Sequence, residues 1–488
     1  MTPLKVITYP ANGLLKNFFF LIILLLPYSI LSQCPNNNIT FSSQAEIDSF
    51  PILYPNCSEF DYSIFISGND ITNLNGLIGL NSIGNRLEIF DNESLVSIDG
   101  LINLSSVENL ILIENNDLLT DLTGLNNILF SDSDIKIIDN DNLSSLTGLD
   151  NLVQVRSLFL THNQKLDNLL GLNNLEYVEL DLRIENNFLL SSLAGLNNLK
   201  YVAGDLRIDG AALPNFLGLD SLTNVGGTLM VKHNGNLLDF SGLEYLNSIG
   251  SLDILGNASL TNFNAINLNT SFLSYLSINS NGSLKGLYGL ESIGNIINTC
   301  NINNNPSLYN LSGLNGLSNV YSISIDQNDS LINLEGLENL EVVTGFLQIN
   351  HNDRLISIEH LHNVNHIYWF LTILDNQLLF SLNGLDDCNF SLLQSIYIAN
   401  NPHLSDCAIQ SVCNYFDIPN AIISIQNNAV GCNSPQEVAD SCGILGVPEI
   451  PIEKKISVFP NPFTTSTTIE YELKEISNIQ FTIYNVIG

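Results

Sequence analysis

The segments LDLRIENNFLLSSLAGLNNL (180–199) and AGDLRIDGAALPNFLGLDSL (203–222) repeat one pattern of residues. In each, a short alternation of apolar and polar residues leads into a Gly-Leu pair and then a further leucine. Alternation with a period of two is typical of a strand that buries one face. Because a strand this short is unstable alone, the repeat predicts that successive copies stack and share a core.

The repeat covers most of the chain. A Gly-Leu pair or its equivalent recurs every 23 or 24 residues in fourteen copies, with Ala265–Ile266 and His360–Leu361 as the two variants. An asparagine precedes most of these pairs by eight residues, from Asn92 to Asn376. We expect the glycine to permit a tight bend. We expect the asparagine to adopt a left-handed turn conformation, bind backbone groups and stack into a ladder.

These patterns predict a mainly β fold, a parallel β-solenoid whose neighbouring strands lie about 4.8 Å apart. The stretch LEIFDNESLVSIDGLINLSSV (87–107) resembles the receptor L domain, a leucine-rich-repeat-like family, over about residues 60–430. The resemblance implies a right-handed solenoid in a secreted bacterial protein. It also implies a scaffold that binds or supports rather than catalyses.

The N-terminus contains KNFFFLIILLLPYSILSQC (16–34), a lysine followed by an apolar run and small residues. This pattern predicts a signal peptide over 1–32, cleaved after Ser32 and too short to span a membrane. After its removal we expect no transmembrane span. The alternative is a lipoprotein signal with a lipid on Cys34, although Gln33 stands where such signals have Gly or Ala.

Secretion makes the eight cysteines interpretable, because disulfides persist in oxidising compartments. We predict that six of them staple the two ends of the solenoid: Cys34, Cys57, Cys407, Cys413, Cys432 and Cys442. The four C-terminal cysteines allow three connectivities. Cys300 and Cys388 occupy leucine positions of the repeat, so we expect both to be buried and unpaired.

The C-terminus departs from the repeat. GVPEIPIEKK (446–455) reads as a linker, and ISVFPNPFTTSTTIEYELKEISNIQFTIYNVIG (456–488) resembles the sorting domain of type IX secretion in Bacteroidota. That family's domain, a small β-sandwich, continues beyond the equivalent of Gly488, so we expect an incomplete domain here. The resemblance implies export by the type IX machinery and a secreted, extracellular or outer-membrane-surface location. The predicted organisation is signal peptide 1–32, N-terminal cap 33–59, solenoid 60–404, Cys-rich cap 405–442, linker 443–455 and sorting domain 456–488.

The chain is strongly acidic. Fifteen Lys and Arg against 49 Asp and Glu give a net charge of −34, which repels nucleic acids and anionic membranes. We therefore expect no nucleic-acid partner. A content of 45% hydrophobic and 13% charged residues excludes a disordered chain.

One column of outward strand residues is unusual for so acidic a chain. In the central copies it reads Lys136, Phe159, Arg183, Arg207 and Met230. This strip would suit an acidic glycan or a peptide. The arginines would donate paired hydrogen bonds to a carboxylate or sulfate, and Phe159 would stack against a sugar ring. The competing interpretation is that carboxylates beside Arg183 and Arg207 neutralise them.

A second candidate is HNDRLISIEHLHNVNHIYWF (351–370), with four of the seven histidines and the only tryptophan. Tyr368 and Trp369 stand where other copies have small or polar residues, and exposed aromatics mark sugar or protein contacts. Packing against the neighbouring turn is the alternative. His360, His362 and His366 are scattered along a winding turn, so we expect neither a metal site nor a cofactor.

No nucleophile elbow, phosphate loop, CxxC pair or zinc-protease helix occurs in the sequence. The prediction is a secreted or cell-surface binding or adhesion protein, not an enzyme, whose ligand is a glycan or a protein. One alternative is a polysaccharide-active enzyme using stacked carboxylates such as Asp181 and Asp205. The other is a structural coat component without a saturable ligand.

Overall fold

The computed structural model describes residues 34–443 and the backbone of the short strands at 457–459 and 468–470. The chain divides into two compact units. Unit 1 comprises residues 1–297 and 304–306, and unit 2 comprises residues 298–303 and 307–488.

Unit 1 is a parallel β-solenoid, as the repeat predicts. Its helices are α1 (Gln44–Leu53) and the 3-10 turns Asn75–Leu77, Asp99–Leu101 and Thr123–Leu125. Its strands are β1 (Ile39–Phe41), β2 (Glu59–Phe60), β3 (Ile64–Ile66), β4 (Ser82–Ile83), β5 (Arg86–Phe90), β6 (Ser106–Val107), β7 (Leu110–Glu114), β8 (Phe130–Ile138), β9 (Gln154–Thr161), β10 (Tyr177–Val178), β11 (Leu182–Glu185), β12 (Tyr201–Val202), β13 (Leu206–Asp209), β14 (Asn224–Lys232), β15 (Ser248–Leu255), β16 (Phe272–Leu273) and β17 (Leu276–Asn279). One strand of each turn pairs in parallel with that of the next, in the order β1, β3, β5, β7, β8, β9, β11, β13, β14, β15, β17.

Unit 2 has the same construction. Strand β18 (Asn295–Asn303) contributes residues to both units. The remaining elements are β19 (Asn319–Asp326), β20 (Val342–Val343), β21 (Phe346–Asn350), the 3-10 turn Glu359–Leu361, β22 (His366–Ile367), β23 (Phe370–Leu374), β24 (Ser395–Ala399), α2 (Gln410–Phe416), β25 (Ile422–Gln426), α3 (Pro435–Ser441), β26 (Ser457–Phe459) and β27 (Thr468–Glu470). Strands β19, β21, β23, β24 and β25 pair in parallel in that order, and β26 pairs antiparallel with β27.

The register keeps identical positions of the repeat in contact. Leu182 lies beside Leu206 and Ile184 beside Ile208, and all four side chains are fully buried. A slip of one residue would turn this apolar set toward solvent, so the alternation fixes the register. The predicted caps also contain strands of the stack, since β1 lies within 33–59 and β25 within 405–442.

The repeated asparagines form a buried ladder, as predicted. Asn257 is fully buried, and its amide donates to Val231 O at 2.9 Å and to Asn281 Oδ1 at 3.3 Å. Its own Oδ1 accepts the backbone N–H of Asn234 at 3.1 Å. The predicted left-handed conformation, however, belongs to the residue before the ladder position, as at Asn115, His162 and other turns. The prediction was wrong by one residue because the pairing between turns, not turn propensity, sets where the asparagine lies.

The glycine of the Gly-Leu pair has the predicted role. Gly148 has a φ of +114°, and a Cβ there would lie 1.8 Å from Leu122 O of the preceding turn. Ala265, at the equivalent position, keeps the left-handed region with a φ of +83°.

Disulfides close the ends, as expected. In unit 1 Cys34 is bonded to Cys57. In unit 2 the bonds are Cys407–Cys432 and Cys413–Cys442. Cys300 and Cys388 are buried and unpaired, and burial raises the pKa of both thiols to about 12.

The predicted signal peptide, linker and most of the sorting domain lie outside the described residues, so they stay predictions. Within the described part of the chain, every helix is too short or too polar to cross a bilayer.

Candidate functional site

The register of unit 1 brings the predicted strip into one column. Lys136 of β8 pairs with Phe159 of β9, Phe159 with Arg183 of β11, and Arg183 with Arg207 of β13. Met230 of β14 pairs with Arg207 and completes the column. All five side chains are partly exposed, because each points away from the buried leucines and isoleucines on either side of it.

Two cations of the strip lie against one aromatic ring. Lys136 Nζ is 5.0 Å and Arg183 Cζ 5.1 Å from the centroid of Phe159. Such contacts stabilise a cation and restrict its position. The ring of Phe159 therefore contacts one positive group from the preceding turn and one from the following turn. The prediction that this ring is open for stacking against a sugar was wrong.

Arg183 and Lys136 differ in their ion pairs. Arg183 Nη2 donates to Oδ2 of Asp181, the residue directly before β11, at 2.9 Å, and the Arg183 side chain is 40% exposed. Lys136 makes no ion pair within the described residues, and its ammonium group lies over the phenyl ring of Phe159. Since the protein is so acidic, an uncompensated ammonium on an ordered strand is a notable local charge.

Arg207 is compensated on two sides. Its Nη2 bonds Asp209 Oδ2 at 2.7 Å, and its Nε lies 2.9 Å from Glu185 Oε1 at an angle outside that of a hydrogen bond. The hydrogen bond to Asp209 raises the pKa of Arg207, and Glu185 and Asp253 add to that effect. His233 Nδ1 lies 2.9 Å from the other oxygen of Asp209. Neighbouring carboxylates therefore neutralise the charge of Arg207 on two sides, whereas Arg183 has one carboxylate partner.

The stacked carboxylates that raised the enzyme hypothesis bond the backbone. Asp181 Oδ1 accepts the N–H of Asp205 at 3.0 Å, and Asp205 Oδ1 accepts the N–H of Thr228 at 2.8 Å. Each carboxylate occupies space that a side chain on a glycine of the next turn would fill. A Cβ on Gly204 would lie 2.5 Å from Asp181 Oδ1, and a Cβ on Gly227 would lie 2.4 Å from Asp205 Oδ1. Both aspartates thus tie one turn to the next.

Trp369 in unit 2 packs across a gap left by a glycine. Its ring lies 5.7 Å from that of Tyr321, edge to face, and Trp369 is 44% exposed. Trp369 N donates to Gly345 O and Gly345 N to Tyr321 O, so Gly345 occupies the turn between the two rings. Tyr368 stacks on His366 at 6.0 Å. The structure therefore places Tyr368 and Trp369 in separate aromatic pairs.

The histidines of this segment stay apart. His360 and His362 belong to the 3-10 turn or its end, while His366 lies in β22. Among the described residues, no three His, Cys, Asp or Glu side chains are placed to hold a metal ion.

Sequence reasoning missed two features. The contact of Tyr321 with Trp369 could have been found from the repeat. Both residues lie three positions before the outward strand residue of their turn, Ser324 and Thr372 respectively. A cavity of about 360 Å³ beside α2, lined in part by Cys388, Ser411 and Tyr415, had no sequence signal because it depends on how α2 packs on the last turns of unit 2.

Comparison with known proteins adds no identification: no family model and no curated protein matches the chain. Eighteen chains of solved structures match it. One, from the crystal structure of the TLR13–ssRNA13 complex, is 14% identical with a TM-score of 0.28, over 79% of this chain and 78% of that chain. Another, a leucine-rich repeat protein from Bacteroides ovatus ATCC 8483, is 15% identical with a TM-score of 0.21, over 64% of this chain and 83% of that chain.

Proposed function

We propose that this is a secreted or cell-surface binding protein that holds an anionic ligand on the strand face of unit 1. The observation that carries the proposal is the cluster of Lys136, Phe159 and Arg183, hereafter the cation cluster. Its two positive groups are fixed over one ring, and one of them has no carboxylate partner among the described residues. Fixed donors lose less conformational entropy on binding than mobile surface lysines.

The surroundings define the class of ligand. Asp134 and Glu185 lie on the same strands as the cluster and Asp181 lies directly before β11. The whole chain also carries −34 charges, so a long polyanion would be repelled. A short oligosaccharide with one or two carboxylates or sulfates avoids this repulsion. The guanidinium of Arg183 would bind such a group through its free N–H donors, and Lys136 would add a point charge.

The three disulfides support an oxidising, extracellular location. Export by the type IX machinery is part of the proposal and rests on the sequence resemblance of 456–488 alone.

A printed array of short glycans tests the proposal. The full chain, probed at low and high salt, should bind spots carrying uronic acid or sulfate, and high salt should weaken the binding. Neutral glycans of the same length are the control. Equal binding to neutral spots, or no binding to any acidic spot, would refute an anion-binding role.

A further inference from the structure

Unit 2 has a second surface that the proposed function does not use. Tyr309, Ile332, Ile356 and Phe380 occupy the same position in four successive turns, four residues after the ladder position. They are 41%, 41%, 43% and 46% exposed. Ile332 N donates to Tyr309 O at 3.1 Å and Ile356 N to Ile332 O at 2.9 Å, so these turns are direct neighbours. We call this row of four the apolar ridge.

The solenoid does not require apolar residues at this position. In unit 1 the equivalent residues are Thr72, Val96, Thr120, Ser144, Asp167, Ser191, Pro214, Leu238, Thr261 and Lys285. Of these ten, only Val96, Pro214 and Leu238 are apolar, and at most two of them, Pro214 and Leu238, are consecutive. Four consecutive exposed apolar residues are thus a property of unit 2 and not of the repeat, and such contiguous patches mark interaction sites.

Charge selects the partner. Each of the two central ridge residues has an exposed acid three positions before it and three positions after it, in DSLINLE (329–335) and DRLISIE (353–359). Arg354 is the one cation in these two segments. A second copy of this chain would bring acid against acid, so self-association through the ridge is disfavoured. A partner with basic residues beside its apolar ones is favoured.

The distance between neighbouring ridge residues indicates which secondary structure of the partner fits the ridge. Four turns about 4.8 Å apart give a ridge about 14 Å long. An α-helix repeats its apolar stripe about every 5.4 Å, so three helical turns match the ridge. In a strand, residues of one face recur about every 6.8 Å, which fits less well. We infer that the apolar ridge docks a basic amphipathic helix of another protein, with apolar side chains between the ridge residues and Lys or Arg against the flanking acids.

A designed peptide tests this inference. The probe is a fluorescent peptide of about 18 leucine and lysine residues with the leucines on one helical face. Its control has the same composition with the leucines spread around the helix. Fluorescence polarisation with the full chain should show binding of the amphipathic peptide at least about tenfold tighter than that of the control.

The substituting residues, Ser and Thr, already occur at the equivalent position in other turns of the solenoid. Ile332→Ser with Ile356→Thr should weaken binding of the amphipathic peptide at least about tenfold. Val96→Thr with Leu238→Thr, at the equivalent positions of unit 1, should leave it unchanged, as should Arg183→Ala in the cation cluster. Equal binding of both peptides, or equal binding by the ridge variant, would overturn the inference. So would a dimer in size-exclusion chromatography that the ridge variant abolishes, since the occupant would then be a second copy.

Discussion

Each ladder asparagine of the type of Asn257 makes four polar contacts while fully buried. Asn257 accepts one backbone N–H, donates to two backbone carbonyls and donates to the next amide of the ladder. Each buried polar group left without a partner costs about 1–3 kcal/mol. The ladder therefore constrains how successive turns align, in addition to the pairing of their strands.

We predict that Asn257→Ala lowers the free energy of unfolding by about 3 kcal/mol, because it removes the acceptor of Asn234 N and the side-chain bonds to Val231 O and to the next amide of the ladder. Asn264→Ala, which changes an exposed asparagine of the same turn, is the control and should cost less than about 0.5 kcal/mol. Urea unfolding followed by circular dichroism measures both. Equal losses would mean that the ladder adds nothing beyond ordinary surface polarity.

Ala265 is strained where most turns have glycine. Its φ of +83° places the Cβ in an unfavourable position, so Ala265→Gly should stabilise the protein by about 1 kcal/mol. Ala258→Gly, at an exposed position with ordinary backbone, should destabilise it by a comparable amount, since glycine adds entropy to the unfolded chain. Thermal unfolding of the two variants checks the opposite signs; two losses would show that Ala265 is not strained.

At the scale of elements, β11, β13 and β14 are joined by aspartates that reach over glycines. Asp205 holds Thr228 N only because Gly227 has no side chain. We predict that Asp205→Ala and Gly227→Ala each cost about 2 kcal/mol, and that the double variant costs at least about 1 kcal/mol less than their sum. The reason is that Asp205→Ala removes the nearest of the three atoms that the new Cβ would meet, the other two being the backbone carbonyl atoms of Gly204. Strict additivity in urea unfolding would contradict this coupling.

The elements show what the sequence could and could not predict. Alternation in DLRIE gave β11 and its register with β13, because burial of Leu182 and Ile184 depends on local pattern. The partner of Trp369 was missed, since Tyr321 lies two turns away and approaches only because Gly345 lies between them. The prediction that the ring face of Phe159 is open was wrong for a similar reason, because the side chains of Lys136 and Arg183 from the neighbouring turns lie over it.

At the scale of the whole molecule, excess negative charge carries a cost in stability. Burial, followed by the charges of Asp139, Asp91 and Glu88, raises the pKa of Glu114 above its usual value. A raised carboxyl pKa means that the folded protein binds the proton more tightly than the unfolded chain. Stability from this group is therefore present below the unfolded pKa of 4.5 and is lost as the pH rises through the folded pKa.

It follows that Glu114→Gln should stabilise the protein at pH 7, by a few tenths of a kcal/mol as for other like-charge pairs between strands. The gain should vanish below pH 4.5, where the wild-type carboxyl is protonated. Glu108→Gln removes an exposed acid nearby and controls for net charge. Thermal unfolding at both pH values provides the comparison, and a gain that persists at low pH would exclude the electrostatic cause.

The central claim is that the cation cluster binds a compact anion. Isothermal titration of digalacturonate, which carries two carboxylates, into the full chain measures this most directly, with Lys136→Ala plus Arg183→Ala as the test variant. Lys165→Ala plus Lys285→Ala removes the same charge elsewhere in unit 1 and serves as the control. The account predicts that the control binds like the wild type and that the test variant binds at least about 100-fold more weakly, or about 2.7 kcal/mol. Equal weakening by both variants, or no change in the test variant, would contradict it.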